Sequence, residues 1–597
     1  MNGNQPDDDR RINYFAATHT RGKREMFGIR AADRGKHIYV IGKTGMGKST
    51  MLENMAIQDI QNGEGIAFVD PHGSTAERLL DFIPHERLKD VVYFAPFDTD
   101  FPIGFNVMED VGYDKRHLVV SGLIGAFRRI WVDAWSARME YILQNTMLAL
   151  LEYPDSTLLD VNKMLTNKIF RTAVVEKVQD PLVRAFWTEE FASFTDTYTR
   201  EATPAIQNKV GQFVANPLIR NIVGQPKSSF DLRRIMDERK IFIVNLSKGR
   251  MGETNAALLG SMLVVKIYLA AMSRADEPAA RMREIPRYYF YVDEFQSMMN
   301  EAFADILSES RKYKLALTLA NQYIEQMEEN VRDAVFGNIG TLVCFRVGPF
   351  DAEILKTVFE PTFMSQDLVM LGVGQIYLTL MIDGVGSVPF SAETIPPIEP
   401  PPVSYRDDVI RNSRAQFSLP RAQMEALISK RQQDFSMQKK KDKKREEPAK
   451  QGLGPHSRSV EAPQPLRGEA SRVSSVSASE PAHRAALRAA IAATRQSNSA
   501  SENVARTPIE ILRARKVAKD ERERLSGAPR VAPVEVPRDR DLPVQKTSPP
   551  PPRRTEEAPL PGNVSDEARQ TGSVSDEISY EELQRVLQGE KGHYEEE

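Results

Sequence analysis

The sequence predicts an α/β fold in which helices cover both faces of a mainly parallel β-sheet. Short apolar runs rich in β-branched and aromatic residues recur along the chain, and stretches with helical apolar spacing separate most of them. The runs lie at 37–41, 65–70, 91–95, 241–245, 288–292, 315–319, 341–347 and 375–382. Alternation of this kind favours parallel pairing, because the crossover between parallel strands is usually a helix.

One stretch departs from the alternation. Residues 109–239 contain no strand-like run and have the pattern of successive helices, and all three tryptophans, Trp131, Trp135 and Trp187, lie within them. Large aromatic side chains gathered in one stretch indicate a packed core. We therefore expect an inserted all-α domain with a core of its own.

The composition of the chain changes near Lys430. Beyond it Pro, Ser and charged residues dominate, and the only aromatic residues are Phe435, Tyr580 and Tyr594. Such a segment cannot bury enough apolar surface to offset the entropy of ordering it. We expect a largely disordered tail, which is either a solvated segment without a single function or a tether to a partner.

These changes along the chain predict six segments. They are a polar N-terminal arm at 1–30, a first ATPase core segment with the phosphate-binding loop at 31–108, the inserted all-α domain at 109–239, a second ATPase core segment at 240–400, a linker helix at 401–430 and the disordered tail at 431–597.

Cysteine content and hydropathy indicate a cytoplasmic protein. The single cysteine, Cys344, lies in an apolar run, which favours a small core residue over a nucleophile, and no secretory signal pattern is present. No run approaches the roughly 18 uninterrupted apolar residues of a membrane span. The longest candidate, residues 256–272, is interrupted by Lys266 and is typical of a buried helix. The net charge of −3 indicates no class of partner, because acidic and basic groups are unevenly placed.

A phosphate-binding loop gives the first sign of function. Residues 42–49 read GKTGMGKS, which matches G-x-x-x-x-G-K-S, and they lie between a predicted strand and a predicted helix. This position disfavours a chance glycine-rich turn. A glycine-rich turn between a strand and the start of a helix points backbone N–H groups at a polyphosphate. Lys48 is expected to reach the β and γ phosphates, and Ser49 to bind Mg²⁺. The predicted nucleotide-binding residues are Gly42, Lys43, Thr44, Gly45, Met46, Gly47, Lys48, Ser49 and Thr50.

Two acidic residues follow the apolar run at 288–292. In ATPases with such a loop, the first acid after this strand holds Mg²⁺ through its water shell, and the second can orient and activate the attacking water. Asp293 and Glu294 occupy these two positions. The alternative is a strand that ends in solvated carboxylates, which the upstream loop disfavours. The pair points to hydrolysis rather than to a kinase or a simple binder.

ATP is favoured over GTP. Residues 70–73, DPHG, match the D-x-x-G pattern of GTPases, but no base-reading N-K-x-D motif is present. Asp70 ends a predicted strand, so its carboxylate either lies near the nucleotide and Mg²⁺ or caps the helix that follows. The sequence leaves both readings open.

Two further residues are candidates for roles at the γ phosphate. Gln322 follows the run at 315–319 and could sense that phosphate, although an ordinary loop amide is the alternative. Arg311 precedes the same run and could enter the active site of a neighbouring subunit as an arginine finger. Arg346 is its rival for this role, and a plain surface arginine is the default for either residue.

Together these motifs resemble the HerA–FtsK superfamily of DNA-pumping ATPases, and most closely the coupling proteins of conjugation and type IV secretion. The resemblance spans about residues 26–400 and rests on residues 37–50, FVDPHG at 68–73, VDEF at 292–295, Arg311 with Lys312, and Gln322. It implies a RecA-like core, a ring of six subunits with nucleotide between them, and DNA threaded through the centre. It also implies that the helical insert recognises DNA or the relaxase bound to it.

The chain differs from typical coupling proteins at both ends, because it begins without transmembrane helices and ends in a long polar tail. We expect a cytoplasmic ATP-driven DNA translocase, recruited to the inner face of the membrane by a relaxase or secretion-channel protein that binds the insert or the tail. The alternatives are a DNA-processing helicase or packaging motor, a secretion ATPase that moves protein, and a nucleotide-gated scaffold.

Overall fold

A computed structural model describes residues 9–20, 22–299 and 302–431, which all fall within one compact unit. The described region of the chain is built around an 11-stranded sheet, beside which lies a small two-stranded sheet. The strands are β1 (Ile12–Thr20), β2 (Lys23–Arg30), β3 (Ile38–Ile41), β4 (Gly65–Asp70), β5 (Val91–Phe94), β6 (Ile241–Asn245), β7 (Tyr288–Val292), β8 (Leu315–Asn321), β9 (Thr341–Cys344), β10 (Gln375–Thr379), β11 (Met381–Ile382), β12 (Val385–Gly386) and β13 (Phe390–Thr394).

The order of strands in the large sheet is β2-β1-β13-β10-β9-β3-β8-β7-β4-β6-β5. From β9 to β5 every neighbouring pair is parallel, whereas β10, β13, β1 and β2 are added antiparallel at one side. The predicted fold class, α/β with a mainly parallel sheet, is therefore confirmed. The run at 375–382 differs from the parallel pattern, because β10 pairs antiparallel with both of its neighbours.

Helices occupy the connections between the strands. Before β5 they are α1 (Ala31–Arg34), α2 (Lys48–Gln61) and α3 (Ser74–Leu79). Between β5 and β6 they are α4 (Arg116–Ile130), α5 (Ala137–Leu151), α6 (Asp160–Thr166), α7 (Lys168–Val175), α8 (Pro181–Ala185), α9 (Phe191–Ser193), α10 (Asp196–Ala202), α11 (Pro204–Ala215), α12 (Pro217–Val223) and α13 (Leu232–Asp237). After β6 they are α14 (Lys248–Met251), α15 (Glu253–Met272), α16 (Ala279–Glu284), α17 (Ala302–Glu309), α18 (Glu329–Asn338), α19 (Pro349–Phe359), α20 (Ser365–Met370) and α21 (Arg406–Phe417).

Both faces of the sheet are buried. Along β3, Tyr39 and Ile41 join one cluster of buried side chains, whereas Ile38 and Val40 join a second cluster. Successive side chains of a strand point to opposite faces, so the two clusters lie on the two sides of the sheet. This double burial explains why the parallel strands appear in the sequence as continuous apolar runs.

The sequence predicts a separate core for the helices α4 to α13, but their buried side chains share one cluster with side chains of the sheet. One buried cluster contains Trp187 from this region together with Phe290 of β7, and the other two tryptophans are only partly buried against it. Close packing explains the shared core, because a Cβ atom added at Gly122 of α4 would overlap with Val265 Cγ1 of α15. The division of the chain into the predicted domains stays a prediction.

The N-terminal prediction needs correction. Residues 12–30 are not an arm outside the core but form the β1–β2 hairpin, and β1 pairs with β13. Phe15 and Ile29 of the hairpin are fully buried, and this apolar face stabilises its attachment to the sheet. Residues 1–8 of the predicted arm lie outside the described residues.

At the other end, the predicted linker helix at 401–430 contains two helical segments, α21 and residues 421–431. Arg431 is ion-paired with Asp160 of α6 at 2.6 Å, so the first residue of the predicted tail contacts the folded region. The rest of the predicted tail, residues 432–597, lies outside the described residues.

One helical segment of the described chain, Glu253–Asp276, has the length and hydropathy of a membrane span. However, 72% of its apolar window is buried inside the protein, which is typical of a core helix. The sequence interpretation of residues 256–272 as a buried helix agrees with this position.

Candidate nucleotide-binding site

The carboxyl ends of the parallel strands bring the predicted site residues together. β8 lies between β3 and β7 in the sheet, and each of these three strands leads into a loop that carries predicted site residues. Lys48 follows β3, Asp293 and Glu294 follow β7, and Gln322 follows β8. Ligand sites in open α/β sheets form at this edge, where loops from several strands converge.

The phosphate-binding loop has a backbone that only glycine adopts easily. Gly47, which precedes α2, has φ of 113°, a conformation that a residue with a side chain rarely adopts. Gly42 packs so closely on the end of β9 that an added Cβ atom would lie 2.5 Å from Phe345 Cβ. The Lys43 N–H donates to the Arg346 carbonyl at 2.8 Å, which holds the loop against the same strand. Residues 42–49 therefore form a rigid cradle at the N-terminus of α2.

Lys48 lies inside this cradle. Its Nζ donates to the carbonyl oxygens of Gly42, at 2.6 Å, and Lys43, at 3.1 Å. Burial lowers the pKa of the Lys48 ammonium, and the nearby carboxylates of Asp293 and Glu294 oppose this shift. Among the described residues this buried ammonium donates its hydrogen bonds to neutral carbonyl oxygens, so a phosphate group would suit this position.

Ser49 and Asp293 form the other half of the site. Ser49 Oγ donates to Asp293 Oδ2 at 2.8 Å, and Asp293 Oδ1 accepts the Glu294 backbone N–H at 2.9 Å. Burial raises the pKa of the Asp293 carboxyl, partly offset by this bond from Ser49. No cluster of three or more His, Cys, Asp or Glu side chains that could hold a metal occurs among the described residues. A hydroxyl and one carboxylate fit Mg²⁺, which takes few protein ligands and completes its shell with phosphate oxygens and water.

Glu294 is held by three side chains. Its Oε1 accepts from Gln322 Nε2 and lies 3.0 Å from His72 Nε2, and its Oε2 lies 3.8 Å from Lys248 Nζ. The residue itself adopts a left-handed backbone, with φ of 44°, a strained conformation that is found most often at functional sites. The site thus includes two residues that the sequence interpretation missed, His72 and Lys248. Their positions just after the ends of β4 and β6 were the available signal.

Gln322 connects Glu294 to the phosphate-binding loop. Thr44 Oγ1 donates to Gln322 Oε1 at 2.9 Å, while the Gln322 amide nitrogen contacts Glu294. The amide thus lies between a residue of the phosphate-binding loop and the expected base Glu294. A sensor role for Gln322 stays a prediction that this geometry favours.

The two readings of Asp70 are not exclusive. Its Oδ1 accepts from the His72 backbone N–H at 2.8 Å and its Oδ2 from the Ala76 backbone N–H at 3.0 Å, so it orders the turn that leads into α3. Its charge also contributes to the raised pKa of Asp293. Asp70 therefore lies behind the site and fixes the loop that carries His72.

The structure does not bring Arg311 to the other predicted residues. Arg311 is exposed and precedes β8, whereas the site follows the other end of this strand of 7 residues. Seven residues of strand span about 20 Å, so Arg311 cannot reach the site of its own chain. The rival, Arg346, follows β9 next to the phosphate-binding loop, where its backbone carbonyl accepts the Lys43 N–H.

The fold and the site define a nucleotide-binding protein of the P-loop ATPase class. Residues 28–353 match the family model for the type IV secretion-system coupling protein DNA-binding domain. The chain belongs to this family. No curated protein matches the sequence.

Several solved structures are similar to this chain at low sequence identity. The unbound bacterial conjugative coupling protein TrwBdeltaN70 is 16% identical, with a TM-score of 0.46 over 64% of this chain and 88% of that one. The plasmid coupling protein TrwB in complex with ADP and Mg²⁺ is 15% identical, with a TM-score of 0.47 over 64% and 90%. VirB4 of Thermoanaerobacter pseudethanolicus is 13% identical, with a TM-score of 0.45 over 68% and 99%. The family assignment depends on the match of residues 28–353.

Proposed function

We propose that this chain is an ATP-driven DNA translocase that acts as the coupling motor of conjugative DNA transfer and type IV secretion. The observation that carries the proposal is the contact of Ser49 with Asp293, with Glu294 as the next residue, in a member of a DNA-binding coupling family. This arrangement combines phosphate binding, a metal-holding acid and a base. It has the components of an enzyme that hydrolyses ATP.

Each residue of the site has a role in hydrolysis. The ammonium of Lys48 exchanges its contacts with two loop carbonyls for the β and γ phosphates, and Gln322 senses the γ phosphate. Ser49 and Asp293 would hold Mg²⁺, which supplies positive charge to the phosphates when it is bound. Glu294 accepts the proton of the attacking water. An arginine from a neighbouring subunit, Arg311 or Arg346, adds charge as the transition state forms.

The proposal extends to partners and location. The protein forms a homo-hexamer that grips DNA through its phosphates regardless of sequence, as suits a motor that moves along any strand. It acts in the cytoplasm at the inner face of the membrane, and a relaxase or a channel protein binds its helical region or its tail. The family match to a DNA-binding domain supports the DNA contact.

The test is ATP hydrolysis by the purified full-length chain without DNA, with single-stranded DNA and with double-stranded DNA. We expect at least one form of DNA to raise the rate. The Lys48→Ala variant should lose hydrolysis, because it removes the main cation facing the phosphates. Lys89→Ala, at an exposed lysine away from the site, is the matched control. Hydrolysis that neither form of DNA stimulates would contradict a DNA motor and favour a motor that moves protein.

A further inference from the structure

The carboxylate of Glu294 is occupied on both oxygens. His72 and Gln322 contact Oε1, and Lys248 faces Oε2 across 3.8 Å. Only 13% of the Glu294 side chain is exposed, so water has little access to replace these partners. A carboxylate acts as a base through its free lone pairs, and charge-assisted contacts are the strongest competitors for them. In this geometry Glu294 is poorly placed to accept a proton from water.

The two loops that supply His72 and Lys248 are tied together. The Lys248 N–H donates to the Pro71 carbonyl at 2.8 Å. A Cβ atom added at Gly73 would lie 2.5 Å from Asn245 Oδ1, which shows how closely the loop after β4 packs on the end of β6. A displacement of one loop must therefore shift the other.

The contact of Lys248 with Glu294 can be released most easily. It is the longest of the three side-chain contacts of Glu294, and the Lys248 side chain is 38% exposed. The residue before it, Ser247, has φ of 27°, a strained backbone that favours movement of the turn. Lys248 also begins α14, which leads through Gly252 into α15.

The helical region, α4 to α13, contacts both α15 and the loop after β7 that carries Glu294. Gly122 of α4 packs directly on Val265 of α15, the helix that follows Lys248. At the end of the same helix α4, Arg129 donates to the carbonyl of Gln296, two residues beyond Glu294. A movement of α4 would thus reach both Glu294 and the loop that restrains it.

We propose, as a refinement that rests on the hydrolysis proposed above, that Lys248 and His72 are positioning residues which restrain Glu294 and that movement of α4 releases it. The restraint keeps hydrolysis slow when the helical region carries no DNA. Release frees one oxygen of Glu294 for the attacking water. Coupling of this kind requires an element with two arrangements that both sites bias, and the turn at Ser247 and Lys248 is that element.

The test compares wild type, Lys248→Met, Lys248→Arg and Arg250→Met in DNA-free and DNA-stimulated ATP hydrolysis. Losing a half-exposed ion pair should raise the DNA-free kcat of Lys248→Met about two- to fivefold and lower its stimulation by DNA. The KM for ATP should stay near that of wild type, because Lys248 does not contact the phosphate-binding loop. Lys248→Arg keeps the cation, so its rise should be smaller. Arg250→Met is the matched control, because Arg250 pairs with Glu77 and not with Glu294.

A DNA-free kcat that is unchanged or lower in Lys248→Met, or a rise of equal size in Arg250→Met, would overturn the restraint. His72→Leu should raise the DNA-free kcat in the same direction, which provides a second variant if one of them folds poorly. If the wild type shows no hydrolysis, the proposed function fails and a structural measurement decides the restraint. A nucleotide-free crystal structure with Glu294 against His72 and Lys248 supports it, and one with Glu294 turned away overturns it.

Discussion

Ser49 Oγ lies 2.8 Å from Asp293 Oδ2, although the two residues are 244 positions apart in the chain. The bond connects the start of α2 with the end of β7, across the loop that follows β8. It fixes the distance between the phosphate-binding loop and the pair of acids. Variants of this pair should therefore separate binding of the nucleotide from its hydrolysis.

Glu294→Gln should bind ATP but hydrolyse it about 10² to 10⁴ times more slowly, because an amide cannot accept the proton of water. Asp293→Asn should make ATP binding less dependent on Mg²⁺ and should also lower the rate of hydrolysis. Fluorescent-nucleotide titration and steady-state hydrolysis measure the two effects. An unchanged kcat in both variants would show that this pair is not the hydrolytic centre.

The arginine finger can be assigned by mixing subunits. If Arg311 acts in trans, Arg311→Ala subunits should bind ATP and fail to hydrolyse it. Mixing them with Glu294→Gln subunits should restore some hydrolysis, since a mixed ring has interfaces in which both residues are intact. If Arg346→Ala subunits, mixed with Glu294→Gln subunits in the same way, restore hydrolysis instead, the finger is Arg346. Rings shown to be mixed but without any rescue would exclude the arginine that is tested.

His37 predicts a dependence of stability on pH. Burial, together with a smaller contribution from the charge of Arg311, lowers the pKa of this imidazole to about 4. The Nδ1 atom accepts the Leu317 N–H at 3.1 Å, so protonation would break a buried hydrogen bond. Because the folded pKa lies below the unfolded value of about 6.5, this stabilisation is present above about pH 6.5 and is lost as the pH falls towards 4.

The expected loss from this one group is about 2 to 3 kcal/mol between about pH 7.5 and about pH 4.5. Urea unfolding of wild type and His37→Asn at the two pH values measures it. Asn tolerates the positive φ of 62° at this position. The difference in free energy of unfolding between the two proteins should shrink at the lower pH. An equal difference at both values would mean that His37 does not titrate in this range.

The sequence predicts the central strands and the loops after them because both signals are local. A fully buried parallel strand is a continuous apolar run, and residues 42–49 carry their own backbone requirements. The β1–β2 hairpin is not visible in this way, because β2 lies at the edge of the sheet and carries exposed residues such as Lys23 and Glu25. The roles of His72 and Lys248 depend on β4 lying next to β7 and β6 lying next to β4, and no local pattern encodes that order.

The C-terminal boundary leads to the last prediction. Every residue proposed for catalysis lies within 42–346, so a chain that ends after Arg431 should keep DNA-stimulated ATP hydrolysis and lose DNA transfer in cells. The end point matters, because Arg431 pairs with Asp160, which is fully buried, and donates to Thr157 Oγ1 at 3.0 Å. A chain that ends after Leu427 lacks both contacts and should melt at a lower temperature, since a buried carboxylate would lose a partner.

Thermal melts and hydrolysis rates of the two truncated chains, beside the full-length protein, measure these effects. Arg431→Met in the full-length chain is the matched control, because it removes the same contacts and leaves the tail in place. Its melting temperature should fall, though by less than for the chain that ends after Leu427, which also lacks the buried Ile428, while transfer in cells continues. If the chain that ends after Arg431 loses hydrolysis as a purified protein, residues 432–597 belong to the motor itself and the boundary of the motor lies beyond Arg431.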